Sequence, residues 1–199
     1  MKVSKAQASE NRQAILEAAS RLYRERGVAG VGVAEISREA GFTHGGFYGH
    51  FESKEALAAE ACALAFQAPL ARLQDTLQKH GGDAGPYFQN YLSARHRDSA
   101  GKGCPMPALA ADAARSEGVL AEALTQGIGA YLETLARHRP DGSLAETPAA
   151  EDKARAILSL SALVGGLLLA RATASSAPAL SDEILGSLQQ QLGDHWHAR

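Results

Sequence analysis

The chain has 199 residues, 45% of them hydrophobic and 21% charged, with a formal charge of -2; this balance suits one or two domains with a real core. It is too short and too ordinary in composition for a large multidomain enzyme or a disordered tail. The 20 Lys plus Arg against 22 Asp plus Glu exclude the bulk charge of a nucleic-acid packager, so any nucleic-acid contact must be local. Two cysteines, Cys62 and Cys104, are too few for a disulfide framework, and the opening MKVSKAQASENRQ has no apolar signal-peptide run. A reducing cytoplasm is the expected compartment.

Ala and Leu dominate where Val, Ile and Thr would mark sheets, and no stretch alternates apolar with polar residues, so the expectation is an all-α chain. Residues 1–8, with Lys2 and Lys5, read as a flexible arm. A first amphipathic helix is expected over 10–26, with Ile15, Leu16, Ala19, Leu22 and Tyr23 on one face, Ser9 as its cap and Gly27 as its stop. A second spans about 33–40 with Val33, Ile36 and Ala40 inward and Gly41 leaving in a left-handed conformation. Thr43 would cap a third short helix over 44–50, and Ser53 a fourth that runs from Lys54 to about Lys79 with a kink or break at Pro69. Beyond it, Gly- and Pro-rich punctuation leaves helical patterns at about 86–97, 107–114, 117–138, 150–173 and 181–196. The fifteen uncharged residues AILSLSALVGGLLLA, 156–170, fall short of the roughly 20 that a bilayer needs, so they read as a helix buried in protein and no membrane is expected.

The stretch 41–57, GFTHGGFYGHFESKEAL, carries the chemistry. A short helix, a tight turn at Gly41 and a second short helix is helix-turn-helix geometry, whose second helix can lie in the major groove. Gly45, Gly46 and Gly49 fall inside that second helix, each costing roughly 1 kcal/mol relative to alanine, so helix propensity is given up where absent side chains let backbone approach a partner. Tyr48 and His50 offer hydrogen-bond donors to phosphate oxygens, while Phe47 and Phe51 can anchor the segment in the core. Lys54 stands in the first turn of a helix, where the macrodipole disfavours a cation unless a phosphate docks there.

In this segment and in the layout around it, the chain resembles the TetR/AcrR family of bacterial transcriptional regulators. The resemblance implies a DNA-binding domain over residues 9–51, with the whole helix-turn-helix region placed at 9–58, an effector-binding and dimerisation domain at 59–199, and no enzymatic activity. Thr43, Tyr48, His50 and Lys54 match positions that the family uses on phosphates, and His44 with the Gly45–Gly46 backbone would face the groove. Gly32 departs from the pattern, standing where such proteins often carry a Ser or Thr cap, although glycine is itself an acceptable cap. Charge divides in the same sense: residues 1–58 hold 8 basic and 7 acidic side chains, and residues 59–199 hold 12 and 15.

The resemblance further implies a homodimer on a palindromic double-stranded DNA operator, with a small-molecule effector. Residues 156–170 are apolar all round and suit burial against the chain's own domain and a twin, with small faces at Ser161, Ala162, Gly165 and Gly166. The last helix, with Leu180, Ile184, Leu185, Leu188, Leu192 and Trp196, would complete the interface. For an apolar or aromatic effector the candidate lining is Phe66, Phe88, Tyr91, His96, Met106, Tyr131, Leu135 and Leu163, together with Leu92 and Leu109. Cys104, in the flexible-looking GKGCPMP before a helix and two residues from Lys102, is a candidate sensor of oxidants or electrophiles. An alternative of another class is a metal-binding helical protein using Cys62, His80, His96, Cys104, His195 or His197, although no pair has a compact ligand spacing. No cofactor is expected, and no hydrolase elbow, phosphate-cradling loop or zincin pair suggests an enzyme.

Overall fold

The computed structural model of the chain describes residues 4–42, 47, 49–116 and 118–197. Among them lie nine α-helices and no strand: α1 (Lys5–Arg26), α2 (Val33–Glu39), α3 (Lys54–Lys79), α4 (Gly85–Tyr91), α5 (Ala94–Asp98), α6 (Met106–Ala114), α7 (Val119–Arg137), α8 (Ala150–Thr173) and α9 (Pro178–His197), with a 3-10 turn at Ala100–Lys102. The all-helical expectation holds. Internal contacts divide the chain into two compact units, one of Met1–Gln67 and Ala100–Gln126, the other of Ala68–Ser99 and Gly127–Arg199. This division passes through α3 and α7 and does not coincide with a boundary at residue 58.

In the first unit, α1 buries the face that periodicity predicts: Ile15, Leu16, Ala19, Leu22 and Tyr23 are all in the core. It begins earlier than expected. Ser4, not Ser9, is the N-cap, its hydroxyl accepting from the Gln7 N–H at 3.2 Å. Lys5 to Ala8 contain no breaker, so the helix extends back through them and residues 5–8 are not a loose arm. Gly27 closes α1 at φ 74, as predicted. The segment 100–106, which looked flexible in sequence, is instead packed: the Arg24 guanidinium donates to the Gly103 carbonyl at 2.7 Å, and a Cβ on Gly101 would lie 2.3 Å from a Glu25 carboxylate oxygen. On α6, Asp112 accepts from the Val28 N–H at 3.0 Å.

In the second unit, α8 and α9 pack along one another. A Cβ on Gly166 would sit 2.2 Å from the Leu188 Cδ1 methyl, so a larger residue there would make the Leu188 side chain move. Ser181 Oγ donates to the Ala170 carbonyl at 2.7 Å, and the fully buried Trp196 donates from Nε1 to the Gly82 carbonyl at 3.2 Å. Three expectations are corrected here. The pattern over 86–97 is two helices, because Ser93 starts a new one by accepting from the His96 N–H at 3.2 Å. The apolar stretch belongs to a helix of 24 residues, long and apolar enough to cross a membrane by length and composition, as is α3; the shortness of 156–170 is therefore no argument against a span. Nor is α8 enclosed all round: Ala156, Leu160, Leu163, Leu167 and Ala170 are buried, while Ile157, Leu158, Leu168 and Leu169 are each at least half exposed. Helix α3 runs through Pro69 without ending there.

Candidate nucleic-acid interface

Helix α2 starts at Gly32, which has no side chain to cap it, and Glu35 supplies the favourable negative charge in its first turn. Ile36 and Ser37 are fully buried. The exit is a Schellman turn. The Phe42 N–H bonds to the Ser37 carbonyl at 2.7 Å and the Gly41 N–H to that of Arg38 at 3.1 Å, with Gly41 at φ 84. Ion pairs from Arg21 to Glu39 and from Arg26 to Glu35 fasten α2 to α1, but all four side chains are substantially exposed and contribute little to stability.

Thr43, His44, Gly45, Gly46 and Tyr48 lie outside the described residues, and with them most of the expected third helix. Its flank is described. Phe47 is fully buried and Phe51 almost so, their rings stacked at 5.7 Å, in the anchoring role expected of them. The Arg12 guanidinium lies 4.5 Å over the Phe51 ring and pairs with Glu60 on α3 at 2.7 Å, which ties α1 to α3 across that anchor. The backbone N–H groups of His50 and Phe51 both bond to the Phe47 carbonyl, at 2.9 and 3.1 Å, leaving the His50 side chain half-buried at the edge of the turn.

Ser53 is the predicted cap of α3: its hydroxyl accepts from the Ala56 N–H at 3.0 Å. Lys54 is therefore the first helical residue, half-buried, with no ion-pair partner among the described residues. The remaining first-turn N–H groups and the Lys54 ammonium form a local positive end five residues from Gly49, although Glu55 in the same turn opposes it. Such an end accepts one phosphate oxygen.

The effector candidates divide between the units. Phe66 and Met106 belong to the first; Phe88, Tyr91, His96, Tyr131, Leu135 and Leu163 belong to the second. All are buried except His96, which is partly so. Within the second unit, the hydroxyls of Tyr87 and Tyr131 meet at 3.0 Å. The His96 ring stands edge-on to Tyr91, 4.7 Å between centroids, with Nδ1 2.7 Å from the Tyr91 carbonyl. Burial lowers the His96 pKa to about 4 and outweighs that bond, so the imidazole is neutral, donates from Nδ1 and leaves Nε2 as an acceptor. Cys104 is wholly buried, unlike the accessible thiol that its sequence context suggested, and Cys62 is buried with it in the first unit. Desolvation pushes the Cys62 thiol up to about 12, helped by Cys104 and opposed by Arg24. Among the described residues no three His, Cys, Asp or Glu side chains come together as a metal site, so the metal-protein alternative gains no support.

Residues 15–61 match the family described as bacterial regulatory proteins, tetR family. The chain is similar to the HTH-type transcriptional repressor DhaR of Mycobacterium sp. (strain GP1), 32% identical over 93 residues, which are 47% of each chain. It is 48% identical over 54 residues to the HTH-type transcriptional repressor BepR of Brucella suis, 27% of this chain and 26% of that one. At residues 15–61 the chain carries the segment characteristic of the tetR family. The chain spans about half or less of the length of these curated relatives. The fold likeness reaches further: the crystal structure of reduced Escherichia coli NemR superimposes with a TM-score of 0.72 at 24% identity, over 90% of this chain and 95% of that one. In the TetR frame the described residues add members that spacing did not flag. Arg24 and Asp112 are 79 and 84 residues from their partners, so no local pattern could reveal them.

Proposed function

We propose that the chain is a DNA-binding transcriptional regulator of the repressor type, and not an enzyme: a homodimer that occupies a palindromic double-stranded operator and is released by a small apolar or aromatic effector. The observation that carries this reading is the α2–Gly41 turn leading into residues 43–50 and on to the phosphate-ready start of α3, all inside the segment matched to the tetR family. In that reading His44 and the Gly45–Gly46 backbone meet base edges, while Thr43, Tyr48, His50 and Lys54 hold phosphates. Both curated relatives above are named HTH-type transcriptional repressors.

The dimer reading is supported by the exposed Ile157, Leu158, Leu168 and Leu169 on α8 and Leu180 on α9, large apolar side chains left uncovered on two packed helices. A two-fold axis through it presents two recognition segments and asks for a palindrome. The effector would act only through different affinities for the binding-competent and incompetent shapes, with the aromatic groups of the second unit as candidate lining. The protein works in the cytoplasm, where its DNA lies. Gel-shift titration with the DNA flanking its own gene tests the proposal: a complex of two chains per palindrome is expected, and equal affinity for a scrambled duplex overturns it.

A second trigger is favoured by one observation: Cys104 follows Gly103, whose carbonyl is held by Arg24 of α1, so a reagent that reaches the buried thiol must disturb the unit that contains the helix-turn-helix. In this reading oxidants or electrophiles act at Sγ of Cys104 and release DNA.

A further inference from the structure

Both cysteines of the chain lie in the first unit and both are wholly buried, Cys62 in α3 and Cys104 two residues before the start of α6. A single pair of α1 side chains ties down the backbone next to each of them. The Ser20 hydroxyl, itself buried, donates to the Ala61 carbonyl at 3.0 Å, one residue before Cys62. The Arg24 guanidinium donates from Nη1 to the Gly103 carbonyl at 2.7 Å, one residue before Cys104, and from Nη2 to Ser20 Oγ at 3.3 Å. Its Nε turns back onto the Ser20 carbonyl at 2.9 Å, which holds the guanidinium beside that hydroxyl. Residues four apart on a helix stand about 5–6 Å from one another on one face. Ser20 and Arg24 therefore gather Ala61–Cys62 and Gly103–Cys104 on the same side of α1, one helical turn apart.

The two thiols also act on one another. Burial pushes the Cys62 thiol up to about 12, Cys104 adds to the rise, and Arg24 opposes it. Cys62 is thus protonated at neutral pH and is a poor nucleophile toward an outside reagent. This divides the roles: Cys104 reacts first, and Cys62 is the neighbour placed to answer it. Burial of both also selects the reagent, since only a small neutral oxidant passes through the brief local openings of a packed unit. Hydrogen peroxide, little larger than water, meets that condition.

We infer that Cys62 and Cys104 form a redox dithiol that hydrogen peroxide converts to a disulfide joining α3 to the segment before α6. Sγ of Cys104 attacks the peroxide, the O–O bond breaks, and the products are a sulfenic acid and one water. Sγ of Cys62 then attacks the sulfenic sulfur, the S–O bond breaks, and the hydroxyl leaves with the Cys62 proton as a second water. The two electrons that reduce the peroxide come from the two thiols. A disulfide holds its Cβ atoms about 3.5–4.5 Å apart, so forming it draws α3 and the 103–104 backbone together across the Ser20–Arg24 bridge. The inference names the partner of Cys104 in the second trigger above, and rests on that reading for its consequence for DNA alone.

The test treats the reduced full chain with hydrogen peroxide and reads intact mass, thiol count after denaturation, and operator binding by gel shift. Wild type is expected to lose two hydrogens and both titratable thiols without joining a second chain, and dithiothreitol should restore both. In Cys62→Ser, peroxide should add oxygen to Cys104 instead, and in Cys104→Ser the Cys62 thiol should survive the same treatment. If Cys62→Ser fails to fold by circular dichroism, Cys62→Ala replaces it, and the wild-type mass decides on its own. A disulfide that forms without releasing DNA upholds the dithiol and overturns only the trigger reading. Retention of both thiols in wild type, a disulfide only between chains, or the same oxygen addition in wild type as in Cys62→Ser overturns the inference.

Discussion

Replacing Asp152 with Asn removes the one negative charge that holds Arg139 and Arg155 while keeping the side chain's size. The folded carboxyl titrates at about 2 against 3.8 for a free aspartate, so its charge contributes at most about 2.5 kcal/mol at neutral pH. The side chain is 3% exposed, but its cover is thin and Arg139 is 38% exposed, so solvent screening reduces the contribution to about 1–2 kcal/mol. In a chain of this size that lowers the melting temperature by roughly 3–6 °C. Because the folded pKa lies below the unfolded one, the contribution is present in full above the unfolded value and is lost as pH falls through the folded value. Thermal melts of wild type and Asp152→Asn should therefore differ at pH 7 and converge toward pH 2. A variant that melts with wild type at pH 7, or a gap as wide at pH 2 as at pH 7, refutes the assignment of charge to this cluster.

Gly41→Ala places a Cβ at φ 84 where no neighbouring atom lies within 4 Å, so its cost is the backbone term alone, about 1–2 kcal/mol, read as a lower melting temperature; an unchanged melt contradicts the left-handed turn. Leu169→Asp, on the exposed face of α8 and 56% accessible, should convert a dimer to monomers in sedimentation velocity, and a persistent dimer would place the interface elsewhere. Cys104→Ser should bind DNA as wild type does yet fail to release it on oxidant or electrophile treatment; normal release in the variant removes the thiol from the mechanism.

Helix periodicity made much of the first unit legible, because a face defined by Ile15, Leu16, Ala19, Leu22 and Tyr23 needs only near neighbours to declare itself. The stops at Gly27 and Gly41 and the cap at Ser53 were equally local, and all three occur. The choice between Ser9 and Ser4 was not legible, since both can cap and the helix formers between them favour the longer helix. The break before Ser93 was hidden for a related reason: neither Gly nor Pro marks it, only a serine hydroxyl turned onto the next backbone. What spacing could not give is the long-range pairing. Arg139 meets Asp152 through a closed turn, Trp196 meets Gly82 across 114 residues, and Asp112 meets Val28 across 84. The groove-facing residues Thr43, His44, Gly45, Gly46 and Tyr48 were read from residue type and resemblance, while their flanks Phe47, Phe51 and Ser53 have the anchoring and capping roles that reading gave them.

In the proposed function the start of α3 and the turn before it grip phosphate. The direct measurement is the salt dependence of operator affinity for wild type and for Lys54→Ala. Each phosphate contact adds about 0.9 to the slope of log K against log salt. Lys54 has no ion-pair partner among the described residues, so its loss should lower the slope by about 1 per subunit and weaken every duplex alike. A slope in Lys54→Ala equal to that of wild type would contradict the account.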